Sequence, residues 1–161
     1  MSAAAEVLGG GDGIDFGPLP ETIDALLQEG VVAYRHDKPA ADRVFQQALE
    51  TAPDSLPVYY CLYKIHTYQG SLDEAKAIAE RGTREAARQA GWPEAWCMWT
   101  PQNPIPDGAG RFALYTLKAL AFIYLRRGES DGARAILEHL AMLDPAGTVG
   151  WPVIADLAEG L

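Results

Sequence analysis

Apolar residues recur along the chain at helical spacing, and turn residues interrupt them at regular intervals. Ile23, Leu26, Leu27 and Val31 follow the i, i+3, i+4, i+8 spacing of one helix face, and Pro20 ahead of them suits a helix start. After His36-Asp37-Lys38, Pro39 opens a second predicted helix with Val44, Phe45, Ala48 and Leu49. It ends at Ala52-Pro53-Asp54, where proline supplies no backbone N–H to continue. Pro57 opens a third helix that reaches Tyr68 and is closed by Gly70. Ser71 and Glu74 stand in capping-box register, in which hydroxyl and carboxylate satisfy orphan backbone donors, and launch a fourth helix to about Ala90. A fifth is predicted from Arg111 to Arg127, stopped by Gly128, and a sixth from Glu129-Ser130-Asp131 to Leu143, ended by Asp144-Pro145. A last short helix starts at Pro152. No alternating strand pattern of useful length occurs, so the expected class is all-α.

The helices repeat. Ala41 and Ala75 hold the same place in their helices, 34 residues apart, and Ala133 follows Ala75 by 58, one period plus 24. Pro53 and Pro145 stand 92 apart, which is two periods plus the same 24. A period of 34 with one insertion of 24 accounts for both series. Residues 22–55 carry Ala41-x3-Phe45, Ala48 and Pro53; residues 56–89 carry Tyr59-x2-Leu62, Gly70 and Ala75. Residues 114–147 carry Leu117-x2-Leu120-Ala121-x2-Tyr124, Gly128, Ala133-x3-Leu137 and Asp144-Pro145, and Trp151-x2-Ile154-Ala155 restarts the first-helix pattern.

This period and these residues resemble the tetratricopeptide repeat family, whose helix-turn-helix unit is written W-x2-L-G-x2-Y…A-x3-F…P. The resemblance implies a right-handed α-α superhelix of about three repeats, with residues 148–161 as a capping helix and residues 91–110 as an insertion. The pattern has a physical basis. Small residues such as Ala41, Ala75, Ala121 and Ala133 let paired helices approach, while Phe45 and Leu137 fill the spaces between repeats. One repeat cannot bury its own apolar face, so about three are needed for stability.

In such a solenoid the first helix of each repeat lines an inner face that commonly binds a peptide. Carried onto this chain, the inward positions are Leu27, Val31 and Tyr34, then Tyr60, Lys64 and Tyr68, then Tyr115, Lys118, Phe122 and Arg126. This is an aromatic strip with basic points, suited to a partner with apolar and acidic residues. The alternative is that some of these side chains pack on one another or on the leader. One subtype of the family grips a terminal carboxylate through Lys and Asn. Here Leu27, Val31, Cys61 and Tyr115 occupy such places, so that clamp is not expected.

Charge sharpens the expectation. The chain has 22 acidic and 13 basic residues among 161, a formal net charge of −9, and 48% of residues are hydrophobic. Nearly half the residues being apolar argues against intrinsic disorder, and an acidic excess without a Lys/Arg run argues against nucleic acid as partner. The excess is uneven. Residues 58–69 and 111–127 hold Lys64, Arg111, Lys118, Arg126 and Arg127 and no acid, whereas residues 1–24 hold five acids and no base. Residues 1–19, with Gly9, Gly10, Gly11, Gly13 and Gly17, read as a flexible leader. GGGDG lacks the strand, helix and Gly-Lys-Ser/Thr of a phosphate loop. No basic-then-apolar signal and no apolar run of spanning length occur, and the two cysteines suit a reducing compartment; neither membrane attachment nor a cofactor is expected, and the cytoplasm is the expected location.

Catalytic patterns are absent, so an enzyme is not expected. His36, His66 and His139 lie in three elements without metal-ligand spacing, and His66 stands where the family has a packed tyrosine. The insertion is unusual: Trp92, Trp96 and Trp99 crowd with Cys97, Met98 and prolines at 93, 101, 104 and 106. If Pro93 starts a short helix, the tryptophans share one face. That face either plugs the gap left by the second repeat's missing terminator or serves as a lid or anchor for a partner. The function expected is a protein-interaction module: an adaptor, chaperone-like protein or assembly factor. The alternatives are a small thiol- or metal-dependent enzyme centred on Cys97 or His66, and a homodimer or other self-associating protein paired through the tryptophans.

Overall fold

The computed structural model describes residues 19–160. The leader expected over residues 1–19 lies outside the described residues apart from Leu19. Among the described residues there are seven α-helices and no strand: α1 (Glu21–Tyr34), α2 (Lys38–Thr51), α3 (Leu56–Tyr68), α4 (Leu72–Ala90), α5 (Ala109–Arg126), α6 (Ser130–Leu143) and α7 (Trp151–Glu159), with a short 3-10 turn at Trp96–Met98. No described helix is long and apolar enough to cross a membrane. The chain divides into two compact units, Met1–Ser71 and Leu72–Leu161, so the boundary falls between α3 and α4.

In the first unit α1 and α2 are joined by a short turn and pack as a hairpin, with α3 against both. Asp37 caps α2 by accepting the Ala40 N–H at 3.1 Å, and Pro39 sits in the first turn, where its missing donor costs nothing. Ile23, Leu27, Phe45 and Leu49 are almost fully buried, each worth about 1.5–3 kcal/mol over exposure. Gly30 is what lets α1 close on α2. A Cβ there would stand 2.2 Å from the Phe45 ring. The Phe45 ring in turn meets His66 of α3 edge-on, centroids 5.4 Å apart.

α3 ends as its sequence demands. Gly70 takes φ +79, which returns the Ser71 N–H to the His66 carbonyl at 2.8 Å and the Gly70 N–H to Thr67 at 3.1 Å. Gly128 repeats this closure at the end of α5, with φ +80, Glu129 N–H to Tyr124 at 2.8 Å and Gly128 N–H to Leu125 at 3.0 Å. The two glycines stand 58 residues apart, the same interval as Ala75 and Ala133.

In the second unit α5 is central, packed by α4, α6 and α7. Ala75, Ala121 and Ala133 are completely buried, as close helix packing requires. On its far side Lys76 bridges to Glu129 at 3.2 Å, Arg127 pairs with Glu129 at 2.8 Å and with Asp73, and the Tyr124 hydroxyl donates to Glu80 at 3.2 Å. The turn after α6 is organised by Asp144, which is fully buried. Its carboxylate accepts the Thr148 N–H at 2.9 Å, the Thr148 hydroxyl at 2.5 Å and the Val149 N–H at 2.9 Å. The Asp144 carbonyl also receives the Trp151 indole N–H at 2.7 Å, which seats the start of α7.

The insertion corrects one expectation: no helix begins at Pro93. Residues 91–108 run as an irregular loop containing only the Trp96–Met98 turn. The reason is length and proline. Pro101 biases Thr100 away from helical backbone, leaving too few residues for a helix to pay its nucleation cost. The loop folds back instead, and Trp99 is buried with its indole N–H on the Pro93 carbonyl at 2.7 Å.

Candidate functional site

α5 is apolar and buried around most of its circumference. One side remains. At 100° per residue, Arg111, Tyr115, Lys118, Phe122 and Arg126 fall within an arc of about 80°. Three of the five are cations and the helix contains no acid. Lys118 Nζ stands 4.0 Å from the centroid of the Tyr115 ring, and the Arg126 guanidinium stands 5.8 Å from that of Phe122. Each aromatic face thus holds a cation, an interaction of about 0.5–1 kcal/mol at such sites. Arg111 lies in the first turn, where a cation opposes the helix dipole, so the stability of α5 does not account for this charge pattern. Lys118 Nζ also lies 4.0 Å from where a Cβ on Gly150 would stand, which brings the start of α7 to the border of the arc.

The expected inner-face residues divide by burial. Lys118 and Phe122 are half-buried and Arg126 is exposed, so all three offer surface. Tyr115 is buried and serves as the pedestal beneath Lys118, not as contact area. In the first unit Tyr60 is buried too, with Lys64 Nζ donating to its hydroxyl at 3.2 Å, while Tyr68 is 81% exposed. Leu27 has no exposure, and Val31 and Tyr34 are half-buried. The Tyr34 hydroxyl donates to the Gln69 carbonyl at 3.4 Å. Direct contact with a partner, expected of Leu27, Tyr60 and Tyr115, is therefore withdrawn: helix packing has already covered them.

The tryptophans are largely internal to the second unit. Trp99 is buried, and the Trp92 ring lies 5.2 Å from it. Trp96 meets the His139 ring at 5.6 Å, and His139 Nε2 donates to the Trp99 carbonyl at 3.1 Å. Contact with a partner is withdrawn for Trp99, while Trp92 and Trp96 remain half-buried. Met98, 64% exposed, is the apolar side chain this loop turns outward.

Cys61 is buried, Cys97 is exposed, and neither takes part in a disulfide. His66 is buried in the first unit against Phe45. Among the described residues no three His, Cys, Asp or Glu side chains gather as a metal site would need. Two perturbed acids belong to the charge network instead. Burial first, then the charge of Glu80, pushes the Tyr124 phenol up to about 12, and the hydrogen bond from Arg127 holds Glu129 below the usual carboxylate value. Sequence reasoning missed this network because the links that join α4 to the end of α5 and the turn after it span 44 to 54 residues and share no motif. Comparison with protein-family models, with curated proteins and with solved structures finds no match for the chain.

Proposed function

We propose that the protein is a tetratricopeptide-like interaction module, an adaptor or assembly factor that binds an acidic and apolar segment of a partner protein along the outward arc of α5. The observation that carries this reading is the arc itself: Lys118, Phe122 and Arg126 on one face of a helix without a single acid, in a chain of net charge −9. Phe122 supplies apolar contact area, and Lys118 and Arg126 set the orientation of a carboxylate-bearing ligand and speed its encounter. Lys64 and Tyr68 on α3 offer similar chemistry in the first unit.

A fluorescent amphipathic peptide of alternating glutamate and leucine turns tests it. The full chain is expected to bind the peptide with an affinity that falls as salt rises, since exposed charges are screened beyond about 10 Å at 0.1 M. Lys118→Glu with Arg126→Glu should weaken binding at least about tenfold while leaving the helical circular dichroism unchanged. Binding that ignores both substitutions overturns the reading.

A further inference from the structure

α7 keeps one face for itself and turns another outward. Ala158 is its buried residue, whereas Val153 and Leu157 are 64% and 49% exposed. At 100° per residue Asp156 falls beside them, so the three share an arc of about 100°. The helix carries Asp156 and Glu159 and no base. An exposed apolar pair one turn apart, flanked by carboxylate, is the chemistry that the α5 arc selects. The outward face of α7 cannot turn back onto its own α5, because Ala158 and Trp151 already seat the opposite side of α7 in the fold.

We infer that α7 of one copy docks on the α5 arc of a second copy, Val153 and Leu157 against Phe122 and Asp156 against Lys118 or Arg126. The inference rests on the reading of α5 as a docking face and names its occupant. Complementary charge selects this pairing over α7 against α7, which would oppose carboxylate to carboxylate. The contact is heterologous: each copy has one donor and one acceptor surface, and assembly closes into a ring or extends.

Sedimentation velocity on the full chain across a range of concentrations tests it. The wild-type chain is expected to self-associate, more weakly at high salt. Asp156→Lys alone and Lys118→Glu alone should each raise the dissociation constant at least about tenfold. Mixed in equal amounts, the two variants should associate again. The α7 lysine introduced in one then meets the α5 glutamate introduced in the other, and the unaltered Asp156 and Lys118 of the two variants meet as in the wild type. This recovery also shows that both variants are folded. A chain that stays monomeric at every concentration, or variants that associate as the wild type does, overturns the inference. Peptide captured by a monomeric chain overturns this occupant and leaves the α5 reading standing; neither peptide binding nor self-association overturns both.

Discussion

Trp99 donates its indole N–H to the carbonyl of Pro93 at 2.7 Å, and this bond closes the insertion upon itself. The segment between acceptor and donor contains no regular helix beyond one 3-10 turn, so the fold of the loop hangs on the buried indole. Trp99→Ala removes both the hydrogen bond and a large buried side chain, and a loss of about 3–5 kcal/mol in urea unfolding is expected. Trp99→Phe keeps most of the volume and strands the Pro93 carbonyl, for a smaller loss of about 1–2 kcal/mol. No loss from Trp99→Phe beside a large loss from Trp99→Ala would mean that packing alone, and not the bond, holds the loop.

Gly30 and Phe45 make a pair in which two effects compete. An alanine in the middle of a helix is ordinarily better than glycine by about 0.8–1 kcal/mol. Here its methyl would stand 2.2 Å from a ring atom of Phe45, itself only 2% exposed. Overpacking of that kind costs about 1–3 kcal/mol and should win, so Gly30→Ala is expected to lower stability. In the background of Phe45→Leu the ring is gone, and Gly30→Ala should become neutral or stabilising. A double-mutant cycle by chemical denaturation reads the coupling directly, and additive effects would contradict the close approach.

These two pairs show where the sequence was readable. Gly70, Gly128 and the prolines at 20, 39, 57 and 152 mark helix ends because backbone chemistry is local, and the structure bounds its helices there. Ala41, Ala75 and Ala133 are each 0% exposed, as the repeat spacing required of them. The insertion was readable only in part: Pro101 leaves too little length after Pro93 for a helix, but the contact six residues on that closes the loop instead has no local signal. The site was readable in part. The cations of α5 declare its open side, because a charge does not stay buried unpaired. Tyr115 and Tyr60 declare nothing, since a tyrosine at helical spacing suits a surface and a core equally well; only packing decides.

Asp144 illustrates a residue whose local role hides a larger one. In the sequence it reads as a helix terminator beside Pro145; in the fold its buried carboxylate accepts three hydrogen bonds from Thr148 and Val149. Asp144→Ala would leave the buried Val149 N–H without its acceptor, and a loss of about 3 kcal/mol is expected. Asp144→Asn keeps one oxygen for Thr148 but turns an amide N–H toward a donor, so an intermediate loss is expected. The start of α7 depends on this turn through Trp151, so fluorescence of that indole should report loosening of α7 before the whole chain unfolds. A stability unchanged by Asp144→Ala would remove the carboxylate from its organising role.

Tyr124 makes the stability of the second unit depend on alkaline pH. Its phenol is pushed from 10.0 up to about 12, by burial foremost and then by the charge and hydrogen bond of Glu80 and the charge of Glu129. Between those values the unfolded chain releases a proton that the folded chain retains, so the folded state binds more protons and stability falls as pH rises. The contribution of Tyr124 is therefore fully present below pH 10 and is lost as pH climbs toward about 12. Lys76 lies over the ring, 4.9 Å from its centroid, and supplies a nearby positive charge, yet burial, with Glu80 and Glu129 behind it, still raises the phenol above its ordinary value. Urea midpoints measured from pH about 9 to about 11.5 should decline in the wild type and decline less steeply in Tyr124→Phe, which has no proton to lose. Phenylalanine also removes the hydrogen bond to Glu80, so the variant should start from a lower midpoint at neutral pH. The two curves are then expected to converge as pH rises; parallel curves would show that the proton on Tyr124 has no part in the alkaline loss.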